Sequence, residues 1–226
     1  MTSRTGAPRL AGPLLGAFLA VSAVHLAGLL AGQEAVHLAT KPLLMPLLAA
    51  HAAARGGPRP LIAALLCGWA GDVLLMSDAE PAFLAGMGLF AAGHVCYLVL
   101  FGRAPVRPVS GLAYAVLLVV LLALLWPGLP DGLRAPLAGY GLLLTATAWR
   151  AGVLGRCAAL GGALFLLSDG LIATGIADLP RLPAQDFWIM LTYLAAQYLL
   201  TRGALGGEPD STGAAPGAYR ERRIRI

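Results

Sequence analysis

Two aspartates, Asp72 and Asp169, lie deep inside long apolar segments of this sequence. Inside a membrane helix, such a residue costs about 2.5 to 3.5 kcal/mol on insertion scales, so it usually faces a bundle interior or a wet cavity. Two neighbouring carboxyl groups that are withdrawn from water tend to hold one proton between them, so that one can donate while the other accepts. The pair therefore predicts acid–base chemistry. The alternative is a structural role, with each carboxylate bonded to helix hydroxyls or to Arg.

The surroundings of the two aspartates resemble each other. Residues 71–75 read Gly-Asp-Val-Leu-Leu and residues 168–172 read Ser-Asp-Gly-Leu-Ile, and each Asp lies about twelve residues into its predicted helix. Parallel repeats related by an axis along the membrane normal would let the two carboxylates face each other. We therefore predict that helices 1 to 4 and helices 5 to 8 form two such repeats.

Lys41 is the only lysine among sixteen basic residues, and it stands in the run Lys-Pro-Leu-Leu-Met-Pro. A compact point charge at this position suits a phosphate or a carboxylate partner. The alternative is an interfacial lysine whose charged end reaches water. Pro42 and Pro46 would leave helix carbonyls without donors, and we expect those carbonyls to line a cavity.

Polar side chains also share faces on two other helices. His94 and Tyr97 are three residues apart on the fourth predicted helix, and Tyr193 and Gln197 are four apart on the eighth, with Tyr198 beside them. Residues at these spacings project from the same side of a helix. They could position a water molecule and a substrate, or they could simply bond neighbouring helices.

Other chemistries have less support. The four histidines, at positions 25, 37, 51 and 94, are scattered over three predicted helices, whereas a hydrolytic zinc site needs several imidazoles at one depth. The sequence has no Gly-x-Ser-x-Gly elbow, no phosphate-binding Walker loop and no dinucleotide fingerprint. Ser168, next to Asp169, is the one weak candidate for a serine nucleophile. We therefore expect neither a metal nor a cofactor.

The composition sets the kind of fold that must position these residues. Hydrophobic residues make up 58% of the 226 and charged residues 12%, with a mean hydropathy of +0.77. In ordinary globular chains, roughly 45–50% of the residues are hydrophobic and about 25% are charged. These figures predict an all-α, multi-pass membrane protein. Membrane topology then explains the net charge of +5, and no nucleic-acid partner is expected.

Eight segments are long and apolar enough to be predicted as transmembrane helices. They are Leu10–Ala31, His37–Ala54, Pro60–Ser77, Ala82–Phe101, Val109–Trp126, Arg134–Arg150, Cys157–Ala177 and Asp186–Gly203. Residues 1–203 are therefore predicted to form one transmembrane domain, and residues 204–226 a disordered basic cytoplasmic tail.

The basic residues predict the orientation, because Arg and Lys stay on the cytoplasmic side. Thirteen of the sixteen fall on one side, and only Lys41, Arg134 and Arg181 fall on the other. This alternation requires an even number of helices, with both termini in the cytoplasm. Asp72 and Asp169 then lie in the outer half of the membrane.

Five blocks of sequence together carry a resemblance to a known family. They are Lys41-Pro42-Leu43-Leu44-Met45-Pro46, Gly71-Asp72-Val73-Leu74-Leu75-Met76, Gly93-His94-Val95-Cys96-Tyr97, Phe165-Leu166-Leu167-Ser168-Asp169 and Tyr193-Leu194-Ala195-Ala196-Gln197-Tyr198. In this order they resemble the YhhN-like membrane proteins, the lysoplasmalogenase family.

The resemblance implies an eight-helix hydrolase of a bacterial plasma membrane that acts on a lysophospholipid. It would cleave the vinyl ether bond of lysoplasmalogen to a fatty aldehyde and glycerophosphoethanolamine or glycerophosphocholine, without a metal. Asp72 and Asp169 would then be catalytic, and Lys41 would bind the lipid phosphate. The remaining residues expected to contact the water or the substrate are His94, Tyr97, Ser168, Tyr193, Gln197 and Tyr198. The alkyl chain would lie on apolar helix surface that is open to lipid.

Two other functions fit the residues without the resemblance. A small proton-coupled transporter would also carry deep carboxylates on parallel repeats. A lipid-binding or assembly protein without catalysis would use the aspartates to hold its helices together.

Overall fold

The protein is an all-α structure of eight long helices. The computed structural model describes residues 7–77, 79–106 and 108–206. The helices are α1 (Ala7–Leu30), α2 (Glu34–Ala54), α3 (Arg59–Leu74), α4 (Glu80–Phe101), α5 (Pro108–Leu125), α6 (Asp131–Ala151), α7 (Arg156–Ile176) and α8 (Gln185–Ala204). Every predicted segment corresponds to one helix, and their ends agree within three residues. The predicted tail lies, from residue 207 onward, outside the described residues.

The helices pack mostly on their neighbours in sequence. Contacts run from α1 through α2 and α3 to α4, from α4 to α6, and on through α7 and α8, which returns to α1. α5 packs mainly against α6, and among its described side chains only Leu125 is buried. α5 thus borders the bundle on one side and leaves the space next to α4 open.

Small residues bring α3 and α4 close together next to Asp72. A Cβ atom on Gly71 would lie 2.7 Å from the Phe90 ring and 3.0 Å from the carbonyl oxygen of Gly86. Glycine is therefore required at Gly71 for this approach, as is common where membrane helices pack tightly. The contact fixes the position of Asp72 relative to α4.

Asp72 and Asp169 lie at matching places from the starts of their helices, thirteen residues after Arg59 and Arg156 respectively. α3 is three residues shorter at its end than the predicted segment. α3 ends at Leu74, because the N–H of Ser77 bonds to the carbonyl of Leu74 in a tightened turn. Asp72 therefore lies in the last turn of α3.

One of the two prolines of α2, Pro46, frees a backbone carbonyl. Pro46 has no N–H for the carbonyl of Pro42, four residues earlier. That carbonyl does not line a cavity: it accepts a hydrogen bond of 3.0 Å from Nε1 of Trp69 on α3. The freed acceptor thus ties α2 to α3.

Four of the eight helices are long and apolar enough by themselves to cross a membrane. These candidate spans, found among the described residues, are Arg9–Leu30, Glu80–Phe101, Pro108–Gly128 and Arg156–Ile176. Many large apolar side chains point outward, above all on α5, where Val109 is 78% exposed. An apolar surface of this extent fits a lipid environment. Eight crossings, two repeats and cytoplasmic termini stay predictions.

Candidate active site

One large cavity, the central cavity, opens among the helices. Counted together with its open mouth, the space between the helices is about 1110 Å³. Its polar lining residues are Lys41, Asp72, Tyr140, Thr145, Ser168, Asp169 and Tyr193. The side formed by α5 and the start of α4, which we call the apolar arm, is lined by Phe83, Met87, Leu118, Leu121, Leu122 and Leu125.

Asp169 of α7 is held by a tyrosine from α6. The Tyr140 hydroxyl donates a hydrogen bond to Oδ2 of Asp169 and lies 3.2 Å from Nε2 of His94 on α4. The His94 ring is buried and meets the Phe165 ring edge to face, with 4.8 Å between the centroids. The three side chains form a continuous chain from α4 to the cavity, and no cation is part of it.

Asp72 of α3 has a cationic neighbour instead. Nζ of Lys41 lies 3.9 Å from Oδ1 of Asp72, and their side chains are only 13% and 9% exposed. The buried Tyr193 hydroxyl lies beside the side chains of Asp72 and Gln197, although it has no hydrogen bond of normal geometry to a described residue. Tyr193 lines the cavity with its ring and keeps its hydroxyl buried beside Asp72 and Gln197.

The structure brings the two aspartates to the same cavity. Both line it, and they are close enough to interact electrostatically. Their partners differ: Asp72 has the ammonium group of Lys41, and Asp169 has the neutral hydroxyl of Tyr140. An opposite charge favours the ionised form of a carboxyl group. The arrangement can thus keep one carboxylate charged while the other holds a proton.

Three other predicted residues lie just behind the cavity. The Tyr97 hydroxyl donates a 2.5 Å hydrogen bond to Oε1 of Gln197. Both side chains border a second, narrower gap together with His94, and none of the three lines the central cavity. They are placed to support Tyr193 and Tyr140.

Ser168 and Tyr198 make different contacts from the other predicted site residues. Ser168 lines the central cavity, but its hydroxyl donates a 3.0 Å hydrogen bond to the carbonyl of Ile189 on α8. Tyr198 is partly buried against the hydrophobic core and borders neither cavity. The part predicted for each in substrate binding stays a prediction.

The histidines are less scattered than the sequence suggested. His25 and His37 come together between α1 and α2, with 5.0 Å between their ring centroids. Within the described part of the chain, no group of three or more His, Cys, Asp or Glu side chains could hold a metal ion.

Tyr140 was not among the predicted site residues, because none of the five sequence blocks lies in the sixth helix. The only local signal is a tyrosine between two glycines, Gly139 and Gly141, in an apolar segment. Gly141 permits the contact between α5 and α6, since a Cβ atom there would lie 3.3 Å from Leu118.

A family model confirms the resemblance carried by these residues. The model of the YhhN family matches residues 36–204, which include α3 to α8, nearly all of α2 and every polar residue of the central cavity. The chain belongs to the YhhN family.

Curated relatives share this sequence over most of its length. The chain is 37% identical to "Lysoplasmalogenase TMEM86B" of Rattus norvegicus, over 73% of this chain and 70% of that protein. It is 40% identical to the Homo sapiens protein of the same name, over 63% and 62% of the two chains. A "Lysoplasmalogenase" of Mycobacterium bovis is 33% identical over 90% and 85%. No solved structure matches this member of the family.

Proposed function

We propose that this protein is a lysoplasmalogenase that works inside the membrane. It hydrolyses the vinyl ether bond of a lysoplasmalogen and releases a fatty aldehyde and glycerophosphoethanolamine or glycerophosphocholine. The observation that carries the proposal is the central cavity, where two carboxyl groups meet beside a long apolar arm. Such a cavity fits a single-chain lipid whose reactive bond adjoins its alkyl chain, and curated relatives are named for that activity.

The chemistry needs one acid and one base. A proton is added to the alkene carbon that is not bonded to the ether oxygen, which leaves an oxocarbenium ion. Water then adds to the cationic carbon and loses a proton, giving a hemiacetal. When the hemiacetal collapses, its hydroxyl proton passes to the glycerol oxygen, the bond from carbon to that oxygen breaks, and the aldehyde forms. A carboxyl pair that shares one proton can supply both proton transfers.

Because the two aspartates have different partners, we assign one as the general base and the other as the general acid. Lys41 favours the ionised form of Asp72, so Asp72 stabilises the cation and accepts the proton from water. Asp169 then donates the proton to carbon. As it becomes charged, the Tyr140 hydroxyl donates a stronger, charge-assisted hydrogen bond to it.

The other site residues bind and orient the substrate. Lys41 contacts the lipid phosphate while remaining near Asp72, and the Tyr193 hydroxyl, beside Asp72, turns toward the attacking water. Tyr97, Gln197 and His94 fix the two tyrosines from behind. The alkyl chain lies in the apolar arm inside the cavity rather than on the outer helix surface.

The same proposal includes the topology. All eight helices cross a bacterial plasma membrane, in two parallel repeats, with both termini in the cytoplasm. The helices that are too polar or too short to qualify alone are α2, α3, α6 and α8, and they carry Lys41, Asp72, Tyr140 and Tyr193. Their polar residues face the cavity, so such helices can span when packed among apolar ones.

The first experiment is mass-spectrometric detection of fatty aldehyde. Purified protein in mild detergent is incubated, with a chelator, with a vinyl ether lysophospholipid or its saturated alkyl ether analogue. We expect aldehyde from the vinyl ether only. No aldehyde from folded protein would overturn the proposal, and lipid flux in proteoliposomes would then favour a transporter.

Conservative variants test the carboxyl pair. Asp72→Asn and Asp169→Asn should each abolish aldehyde release while the protein still inserts, whereas Asp131→Asn, a change at a surface ion pair with Arg134, should not. Activity above about a tenth of wild type, a loss of less than about 1.4 kcal/mol, would remove that aspartate from the mechanism.

Azide tests which aspartate is the acid and which is the base, because azide adds to an oxocarbenium ion without help from a base. Asp72→Asn keeps the acid and frees Lys41 to attract the anion, so azide should yield an azido ether in which a proton and azide have added across the double bond. Asp169→Asn lacks the acid, so no cation forms and no adduct is expected. An adduct from Asp169→Asn alone would reverse the assignment.

A further inference from the structure

A second polar cluster lies between α1 and α2, outside the central cavity. His25 is fully buried, and its Nδ1 is 2.8 Å from the Thr40 hydroxyl. That hydroxyl donates its own proton to the carbonyl of Val36 at 2.6 Å, so Nδ1 of His25 must be the donor. Its Nε2 is buried without a partner among the described residues, as is Nδ1 of His37.

Two buried ring nitrogens without partners indicate a ligand or ordered water, since such groups are rarely left unsatisfied. The His25 and His37 rings contact each other, with 5.0 Å between centroids and a tilt of 38°. The His37 ring thus packs against a fully buried side chain. One nitrogen of that ring is left for a partner that no described residue supplies.

Lys41 links this cluster to the polar lining of the central cavity. His37 precedes Lys41 by four residues, so both lie on one face of α2. Lys41 lines the cavity, and three charged residues interact electrostatically with His37: Lys41, Asp186 and Glu34. Glu34 and Asp186 are exposed at the beginnings of α2 and α8. Away from the catalytic aspartates, the charges thus change from positive to negative.

We infer that this cluster, the headgroup site (His25, Glu34, His37, Lys41 and Asp186), binds the zwitterionic headgroup of a single-chain phospholipid. Lys41 and His37 donate hydrogen bonds to the phosphodiester, while Glu34 and Asp186 attract the ammonium group. The inference rests on the proposed function, because it takes the alkyl chain and the vinyl ether to lie in the central cavity.

The order of groups in such a lipid matches their order in the protein. The chain, the vinyl ether, the phosphate and the ammonium group would follow the apolar arm, the aspartates, the Lys41–His37 pair and the two exposed carboxylates. Along α2, Glu34 is three residues from His37, which corresponds to about 4.5 Å at 1.5 Å per residue. The four bonds from phosphorus to nitrogen, at roughly 1.5 Å each, reach that far.

Binding of lipids that cannot be hydrolysed tests the headgroup site independently of catalysis. Saturated alkyl ether lysolipids of one chain length would be compared with and without the ammonium group, in wild-type protein in detergent. We expect the zwitterionic lipid to bind about five- to tenfold more tightly. Glu34→Gln combined with Asp186→Asn should abolish this preference, while Glu80→Gln, a change at an exposed carboxylate at the start of α4, should leave it unchanged.

Variants of His37 test the phosphate contact. His37→Leu should weaken binding of both lipids by about tenfold, and His37→Asn, which keeps an amide donor near the place of Nδ1, should restore most of it. Equal binding by the Leu and Asn variants and wild type would overturn the contact. A preference for the ammonium group that survives the double change would overturn the role of the carboxylates.

Two further probes identify the source of the phosphate. Inorganic phosphate and glycerophosphoethanolamine carry the headgroup chemistry without a chain, and we expect both to bind far more weakly than the lipid. Tight binding of inorganic phosphate alone would show a site for free phosphate and overturn the lipid assignment. Lipid binding without any aldehyde release from a vinyl ether would overturn the proposed function and leave the headgroup site standing.

Discussion

Replacing Tyr140 by Phe removes the hydroxyl that connects Asp169 to His94. In the proposed mechanism, this hydrogen bond matters most after Asp169 has given its proton to the substrate and carries a charge. A hydrogen bond to a charged group contributes about 1.5 to 3 kcal/mol. At about 1.4 kcal/mol per tenfold change in rate, kcat should fall about 10- to 150-fold. KM should change little, because the hydroxyl contacts Asp169 rather than the lipid.

The same substitution should hardly affect folding. Hydrogen bonds between membrane helices contribute about 0.6 kcal/mol on average, which is well below the expected effect on the transition state. Initial rates of aldehyde release over a range of substrate concentrations give kcat and KM, and thermal unfolding in detergent gives Tm. Tyr114→Phe on α5, a tyrosine outside both cavities, is the matched control. A kcat within about threefold of wild type, with Tm unchanged, would refute the role of Tyr140.

Two more variants test the apolar arm and the packing of α3 on α4. Leu121→Trp narrows the apolar arm and should lower kcat/KM for long alkenyl chains by about tenfold, while short chains react normally. Leu124→Trp, on the exposed face of α5, should leave kcat/KM unchanged for both chain lengths. If Leu121→Trp does not alter the dependence of kcat/KM on chain length, the alkyl chain lies elsewhere. Gly71→Ala puts a Cβ atom 2.7 Å from the Phe90 ring and should destabilise the protein by about 1 to 3 kcal/mol, whereas Gly88→Ala has no atom within 4 Å and should leave Tm unchanged. Equal Tm values for the two Ala variants would contradict the close approach of α3 and α4.

The helices could be predicted closely because each apolar run ends in Pro, Gly or charged residues. The predictions and the structure differ where backbone N–H and C=O groups form hydrogen bonds that the sequence does not specify. α3 stops three residues before its predicted end because Ser77 bonds back to Leu74 in a tight turn. The carbonyl freed by Pro46 bonds to Trp69, a choice that depends on how α2 packs against α3.

Asp72, Asp169 and Lys41 could be recognised because ionisable groups are conspicuous in apolar segments. Tyr140 could not, since tyrosine is ordinary in membrane helices and its direction depends on the rotation of α6 against α4 and α7. The contact between His25 and His37 could not be predicted either, because sequence spacing does not indicate which residues on different helices come into contact.

Two carboxyl groups at matching positions in parallel helices would behave alike if their surroundings were alike. Identical partners would not support acid–base catalysis. A cation beside each aspartate would leave both carboxyl groups ionised, and a hydroxyl beside each would leave neither carboxyl group clearly the base. Here a lysine accompanies Asp72 and a tyrosine accompanies Asp169. In the proposed mechanism, these unequal neighbours make Asp72 the base and Asp169 the acid. Lys41 and Tyr140 come from α2 and α6, the second helices of the two predicted repeats, so the proposed difference in role would follow from the partners rather than from the aspartates themselves.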